Sequence, residues 1–214
     1  MLLEWKTCTV GRAGEPDVVR TIREALEASE AVSSVVLGGS RARGGATALS
    51  DWDIYVEGEP EAMMTTIPPL VASFAPLASF WEPLSEEAGY MVVAAGPTKV
   101  DVFPLGARRH IQPPWRLNAD SLPKIDAHFW DWTLWLGGKA LRGEWSRVAA
   151  ELDKMYGFLL APVGVAVAPT SLDEAVASYL RARRDAADSL RVGVDAELGR
   201  QVSEALRRHA LLVT

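Results

Sequence analysis

At 214 residues, 49% hydrophobic and 23% charged, the chain is long enough to bury a core and too apolar to be disordered. Its formal net charge of −6 lacks the basic surplus of an extended nucleic-acid binder, which favours small-molecule or nucleotide chemistry instead. No apolar run reaches the roughly 18–20 residues that span a bilayer. The opening residues carry Glu4 and no apolar signal core. Cys8 alone excludes an internal disulfide and a multi-cysteine zinc site, so a reducing, cytoplasmic setting is expected.

In chain order, residues 16–30 predict a helix, with Pro16 in its first turn and Val19, Ile22 and Leu26 at helical spacing. Residues 31–37 (AVSSVVL) read as a buried strand running into Gly38-Gly39. The following loop is expected to open with a short helix capped by Ser40. A second strand covers residues 51–56, and Gly58-Glu59-Pro60 ends it. Residues 61–75 look helical, with Pro68-Pro69 expected to break or bend the element. Strands are expected at 77–82, 90–95 and 99–105. A Pro- and Arg-rich connector at 106–116 closes this part. Beyond it the pattern turns helical, at 123–142, 144–160, 172–191 and 195–213, with Ser171 and Glu174 at capping-box spacing. The expectation is an α+β fold in two parts: residues 1–110 with a short mixed sheet flanked by helices, and residues 111–214 as a helical bundle.

The stretch VVLGGSRARGGATALSDWDIYV, residues 35–56, carries the chemistry. Asp51 and Asp53 are two apart in a strand, so they share a face, and Trp52 and Ile54 take the other. Crowded carboxylates repel and raise a pKa unless a cation intervenes, and an all-oxygen set suits Mg²⁺ or Mn²⁺. Asp101, flanked by Val100 and Val102, is a third acid in a strand interior, where a carboxylate needs a partner. Three such acids would permit two metals about 3.5–4 Å apart, clamping the attacking and leaving oxygens of a phosphoryl-type transfer. Gly39 permits close backbone approach to a phosphate, Ser40 adds a donor, and a helix start there would favour an anion. Arg41 or Arg43 is a candidate charged contact.

Gly39-Ser40, Arg41-Ala42-Arg43-Gly44, Ser50-Asp51-Trp52-Asp53 and the later Asp101 together resemble the nucleotidyltransferase superfamily related to DNA polymerase beta. Within it the chain looks like the small bacterial antibiotic branch that includes aminoglycoside and lincosamide nucleotidyltransferases. The resemblance implies a metal site at Asp51, Asp53 and Asp101, with two Mg²⁺ ions. It also implies phosphate contacts at Gly39 and Ser40, beside which Arg43 is taken as the charged nucleotide contact, and a nucleoside triphosphate donor, most often ATP. The acceptor would be a hydroxyl of a small molecule, an antibiotic being one class, with Asp101 helping to activate it and pyrophosphate leaving. Nucleotidylation of a protein or RNA in a toxin–antitoxin setting, and a non-catalytic nucleotide-binding module, are the alternatives.

The helical part supplies further candidates. Asp126, Asp131 and Glu144 read as surface acids, any one of which is a candidate general base for the acceptor. Lys139 and Lys154 are candidate triphosphate contacts, Lys154 preferred because it lies on an amphipathic helix. Trp115, Trp130, Trp132, Trp135 and Trp145 read as a packing seam between the parts, with an acceptor-pocket wall as the functional reading. His110, His128 and His209 have no mutual ligand spacing. The arginines after residue 180 alternate with acids, as on a salt-bridged face.

Overall fold

The computed structural model describes residues 14–213, so Cys8 and the opening residues lie outside it. A helix, α1 (Asp17–Glu27), leads into β1 (Val32–Leu37), a single helical turn α2 (Gly39–Ala42), β2 (Trp52–Gly58) and α3 (Pro60–Ala72). Strands β3 (Ala78–Trp81), β4 (Tyr90–Ala94) and β5 (Thr98–Pro104) follow. The remainder is helical: α4 (Leu122–Leu141), α5 (Trp145–Met155) continuing as a π turn over Tyr156–Leu160, α6 (Leu172–Leu190) and α7 (Glu197–Arg208).

The five strands form one mixed sheet in the order β1-β2-β5-β4-β3. Only β2 and β5 run parallel, which the long excursion through α3, β3 and β4 permits. Strict alternation then sorts the side chains. Trp52, Ile54, Val56, Tyr90, Val92, Val100 and Val102 face α1 and α3, where Val19, Ile22, Leu26, Met63, Ile67 and Val71 close a core. The intervening residues of β2, β4 and β5, among them Asp53, Met91, Val93, Lys99 and Asp101, take the opposite face. Val93 there joins the second core, built from α4 to α7 around Phe129, Trp130 and Tyr179. The architecture is the expected α+β, with a mixed sheet flanked by helices and a helical C-terminal region.

Three local expectations are corrected. The strand read as buried, β1, is the sheet's edge and only half-buried, because its apolar run packs on one neighbour, β2. Of the break or bend expected at Pro68 and Pro69, the break does not occur, since helix α3 runs through both. Met63, Ile67 and Val71 are fully buried on the sheet, while Pro69 lies exposed on the outer side, where water can satisfy carbonyls that the prolines leave unpaired. Ser40 is not a cap: Gly38 precedes the turn α2 and Ser40 lies inside it. The spacing at α6 works as expected at one end, with Ser171 Oγ accepting from Glu174 N at 3.2 Å. The Glu174 carboxylate reaches Thr170 N rather than Ser171 N.

Helix α4 lies against the loop that leads into β2. A Cβ built on Gly138 would sit 2.9 Å from the Leu49 carbonyl oxygen, and one on Gly137 would meet Leu206 and Leu49. Arg142 Nη1 donates to Ser50 Oγ at 3.1 Å, one residue before Asp51. Gly138→Ala must push backbone from backbone, so a loss of about 1–3 kcal/mol in denaturant unfolding is expected, with lowered turnover. An unchanged midpoint would show that α4 and this loop are not in such close register.

Candidate active site

Residues Gly38 to Asp53 fold back on themselves. Gly38 N donates to Asp53 O at 2.8 Å, which sets the start of α2 beside the beginning of β2. Gly39 has φ +62°, and a Cβ there would lie 1.5 Å from Asp53 Oδ2. The position thus requires glycine twice, for its backbone angle and for the approach of the carboxylate. Ser40 Oγ is buried and makes no hydrogen bond. Arg41 braces the loop: Nε donates to the Ser50 and Asp51 carbonyls at 3.0 and 3.1 Å, and the guanidinium lies 4.1 Å over the Trp52 ring. Arg43 follows the turn, and its charge acts on Asp53.

In the parallel pair β2–β5, Asp53 stands opposite Asp101, and Tyr55 opposite Phe103, with those two rings stacked at 5.1 Å. Asp51, just ahead of β2, completes the group. One oxygen from each of the three carboxylates lies within 4.8 Å of the others. The donor set is all oxygen and acidic, and Asp53 lies against a glycine cradle that a Cβ would fill. That chemistry fits a hard divalent cation such as Mg²⁺ or Mn²⁺.

The electrostatics agree with that fit. Burial, and then the charge of Asp51, push the Asp53 carboxyl up to about 6, with Lys99, Lys139 and Arg43 pulling it down. Burial also raises Asp101 and Asp131 against the pull of Lys99. Folded Asp53 therefore keeps a proton between its ordinary 3.8 and about 6 that the unfolded chain releases. Its contribution turns unfavourable as pH rises through that window. A divalent cation reverses this only where Asp53 is ionised. Mn²⁺ or Mg²⁺ is thus expected to raise the melting temperature at pH 8, and the increment should shrink as pH falls through 6. Fluorimetric melts across pH 5–8 measure it, and a shift independent of pH would contradict the assignment.

A cavity of about 420 Å³ opens beside Asp101. Its polar end is Asp101, Lys99 and Asp131, and its walls include Trp132, Trp135 and Phe158. Lys99 Nζ donates to Asp101 Oδ1 at 2.7 Å and to Asp131 Oδ1 at 2.5 Å. His128 lies between Phe80 and Trp132, with Nε2 3.7 Å from Glu82 Oε2. Burial, then the charge of Lys99, hold its imidazole down to about 3, so it is neutral.

The structure separates the helical candidates. Asp126 is not a surface acid: it accepts from Tyr179 Oη at 2.8 Å and Trp130 Nε1 at 3.3 Å and pairs with Arg183, all within the helical core. Asp131 is also buried, and of the three it alone meets Asp101 through a shared partner. Glu144 is tied to Arg142 and Arg147 near the start of α5. Lys154 lies on the rim of the cavity, paired with Glu151 at 2.8 Å. Lys139 is the lysine of the helical half whose charge is felt at Asp53. The tryptophans divide: Trp130 is core, Trp132 and Trp135 line the cavity, and Trp145 is exposed. Lys99 is not among the residues that sequence reasoning singles out, although a lysine two residues from a buried aspartate on one strand face is the available signal.

Residues 19–94 match the family model described as a nucleotidyltransferase domain. The match takes in Asp51 and Asp53 and stops before Asp101, which the sheet register adds. No curated protein sequence matches the chain. Among solved structures, an aminoglycoside 6-adenyltransferase from Bacillus subtilis is similar at 10% identity, covering 88% of this chain and 96% of that one. Its TM-score of 0.30 makes that likeness too distant to bear on this chain's substrate. By its family match, the chain carries a nucleotidyltransferase domain over residues 19–94 and is a transferase of that class.

Proposed function

We propose that the chain transfers a nucleotidyl group, AMP from ATP in the first instance, to a hydroxyl of a small-molecule acceptor and releases pyrophosphate. The observation that carries this reading is the pairing of Asp53 with Asp101 across β2 and β5, which gathers three carboxylates against the Gly39 turn. Asp51, Asp53 and Asp101 would hold Mg²⁺, two ions in the full complex. When bound, the metal supplies Lewis-acid stabilisation of charge on the phosphoryl oxygens. Gly39 and Ser40 receive the triphosphate, and Arg43 and Lys139 add charge on its flank. Lys154, paired with Glu151, is assigned to the acceptor side rather than to the nucleotide. Asp131 is the helical carboxylate best situated to take a proton from the acceptor hydroxyl, since it borders the cavity next to Asp101.

This divides the labour, with residues to about 110 holding the donor and residues 111–214 choosing the acceptor. A cavity of about 420 Å³ with tryptophan walls suits a small molecule with an apolar ring or sugar face. With a nucleoside triphosphate as donor, the proposed setting is the cytoplasm. Antibiotics bearing free hydroxyls are the first acceptors to screen. The test is transfer of label from α-labelled ATP, GTP, CTP and UTP with Mg²⁺ to three pools: antibiotics, tRNA and lysate protein. Label on a small molecule is expected. Label on tRNA or protein alone would redirect the assignment, and MgATP binding without transfer to any pool would indicate a non-catalytic nucleotide-binding module.

A further inference from the structure

Lys99 is the cation the metal-site reading leaves without a task. It is 4% exposed, and it lies on β5 on the same face as Asp101. An ammonium has three hydrogens to give. Here one goes to Asp101 Oδ1 at 2.7 Å, one to Asp131 Oδ1 at 2.5 Å, and the remaining near neighbour is Met91 Sδ at 3.6 Å. Nothing is left over for a phosphate or an acceptor, so Lys99 does not bind substrate directly. Its residue lines both the cavity of about 420 Å³ and a second cavity of about 320 Å³.

The position of the ammonium has a consequence for Asp101. With Oδ1 engaged, one oxygen remains for the carboxylate cluster. A unit positive charge already lies against Asp101, and a second divalent ion held by that carboxylate would be repelled by it. The same ammonium ties the third carboxylate of the sheet to α4 through Asp131. We propose that Lys99 is a positioning residue: a built-in counter-cation on the acceptor side of the cluster, it pins one oxygen each of Asp101 and Asp131. Before nucleotide arrives, the chain then takes one divalent ion rather than two. The inference rests on the reading of Asp51, Asp53 and Asp101 as metal ligands.

The test is Mn²⁺ titration at pH 8 without nucleotide, by calorimetry and electron paramagnetic resonance, on the full chain and on Lys99→Met, Asp131→Asn and Asp53→Asn. Lys99→Met keeps the length of the side chain and removes its charge. Wild type is expected to bind one Mn²⁺ and Lys99→Met two. With nucleotide and acceptor, kcat of Lys99→Met should fall about 10–100-fold, as when an outer-shell partner of a metal site is removed, with nucleotide KM little changed. Should Lys99→Met not fold, Asp131→Asn still decides the matter. It leaves the ammonium on Asp101 and must stay at one Mn²⁺; two would overturn the inference. A folded Lys99→Met that binds one Mn²⁺ with wild-type affinity makes Lys99 an ordinary buried ion pair and leaves the metal reading standing. No Mn²⁺ bound by wild type, or as much bound by Asp53→Asn, overturns both.

Discussion

Asp53→Asn is expected to lower nucleotidyl transfer by about a thousandfold or more, the scale of the several kcal/mol that a metal supplies as Lewis acid at a phosphoryl centre. Asp53 is the carboxylate on which the geometry converges. It faces Asp101 across the parallel pair, neighbours Asp51, and lies against Gly39 in the turn before α2. Asparagine keeps the shape and removes the charge. In the metal-free chain this relieves the repulsion and burial that push Asp53 up to about 6, so the variant should melt at or above the wild-type temperature at pH 8. The two readouts move in opposite directions, which a destabilising substitution would not do. Steady-state transfer and thermal melts of the same preparation measure both. Undiminished turnover would remove Asp53 from the active site.

Gly39→Ala is expected to abolish measurable transfer nearly as completely, although no charge is changed. Its Cβ would enter the space of Asp53 Oδ2, at 1.5 Å, and φ +62° is costly for an L-residue by about 1–2 kcal/mol. The carboxylate must move or the turn must open, and either change separates Asp53 from Asp101. Gly44 supplies the control. It has φ +75°, and a Cβ there would meet nothing within 4 Å, so Gly44→Ala carries the backbone strain without the collision. A large loss of activity at Gly39 with a small one at Gly44 assigns the effect to the carboxylate. Equal losses would mean that loop strain alone is responsible.

Much of this site is legible in the sequence because its parts are local. The alternation of Asp51, Trp52, Asp53 and Ile54 assigns faces with no knowledge of the fold, and the valines around Asp101 mark an acid that must be partnered. The meeting of Asp53 and Asp101 is not local. It depends on β5 inserting between β2 and β4, a topology that no short-range pattern encodes. The prolines of α3 do not break it, because burial of Met63, Ile67 and Val71 holds the helix on the sheet. Residue type alone makes surface acids of Asp126 and Asp131. Yet α4 is apolar around most of its circumference, LPKIDAHFWDWTLWLGGKAL, and acids in such a helix have to be buried and paired. That pattern is the available sign of Lys99–Asp131 and Arg183–Asp126.

In the proposed function, Asp51, Asp53 and Asp101 support divalent-metal-dependent nucleotidyl transfer to a small-molecule hydroxyl. Its most direct test is mass spectrometry of a panel of hydroxylated small molecules incubated with the chain, a nucleoside triphosphate and Mg²⁺, beside Asp53→Asn and a chelated control. The expected result is an acceptor whose mass rises by one nucleotidyl group, with equimolar pyrophosphate, only in the wild-type reaction containing Mg²⁺. A nucleotidylated product that persists in Asp53→Asn or under chelation would contradict it.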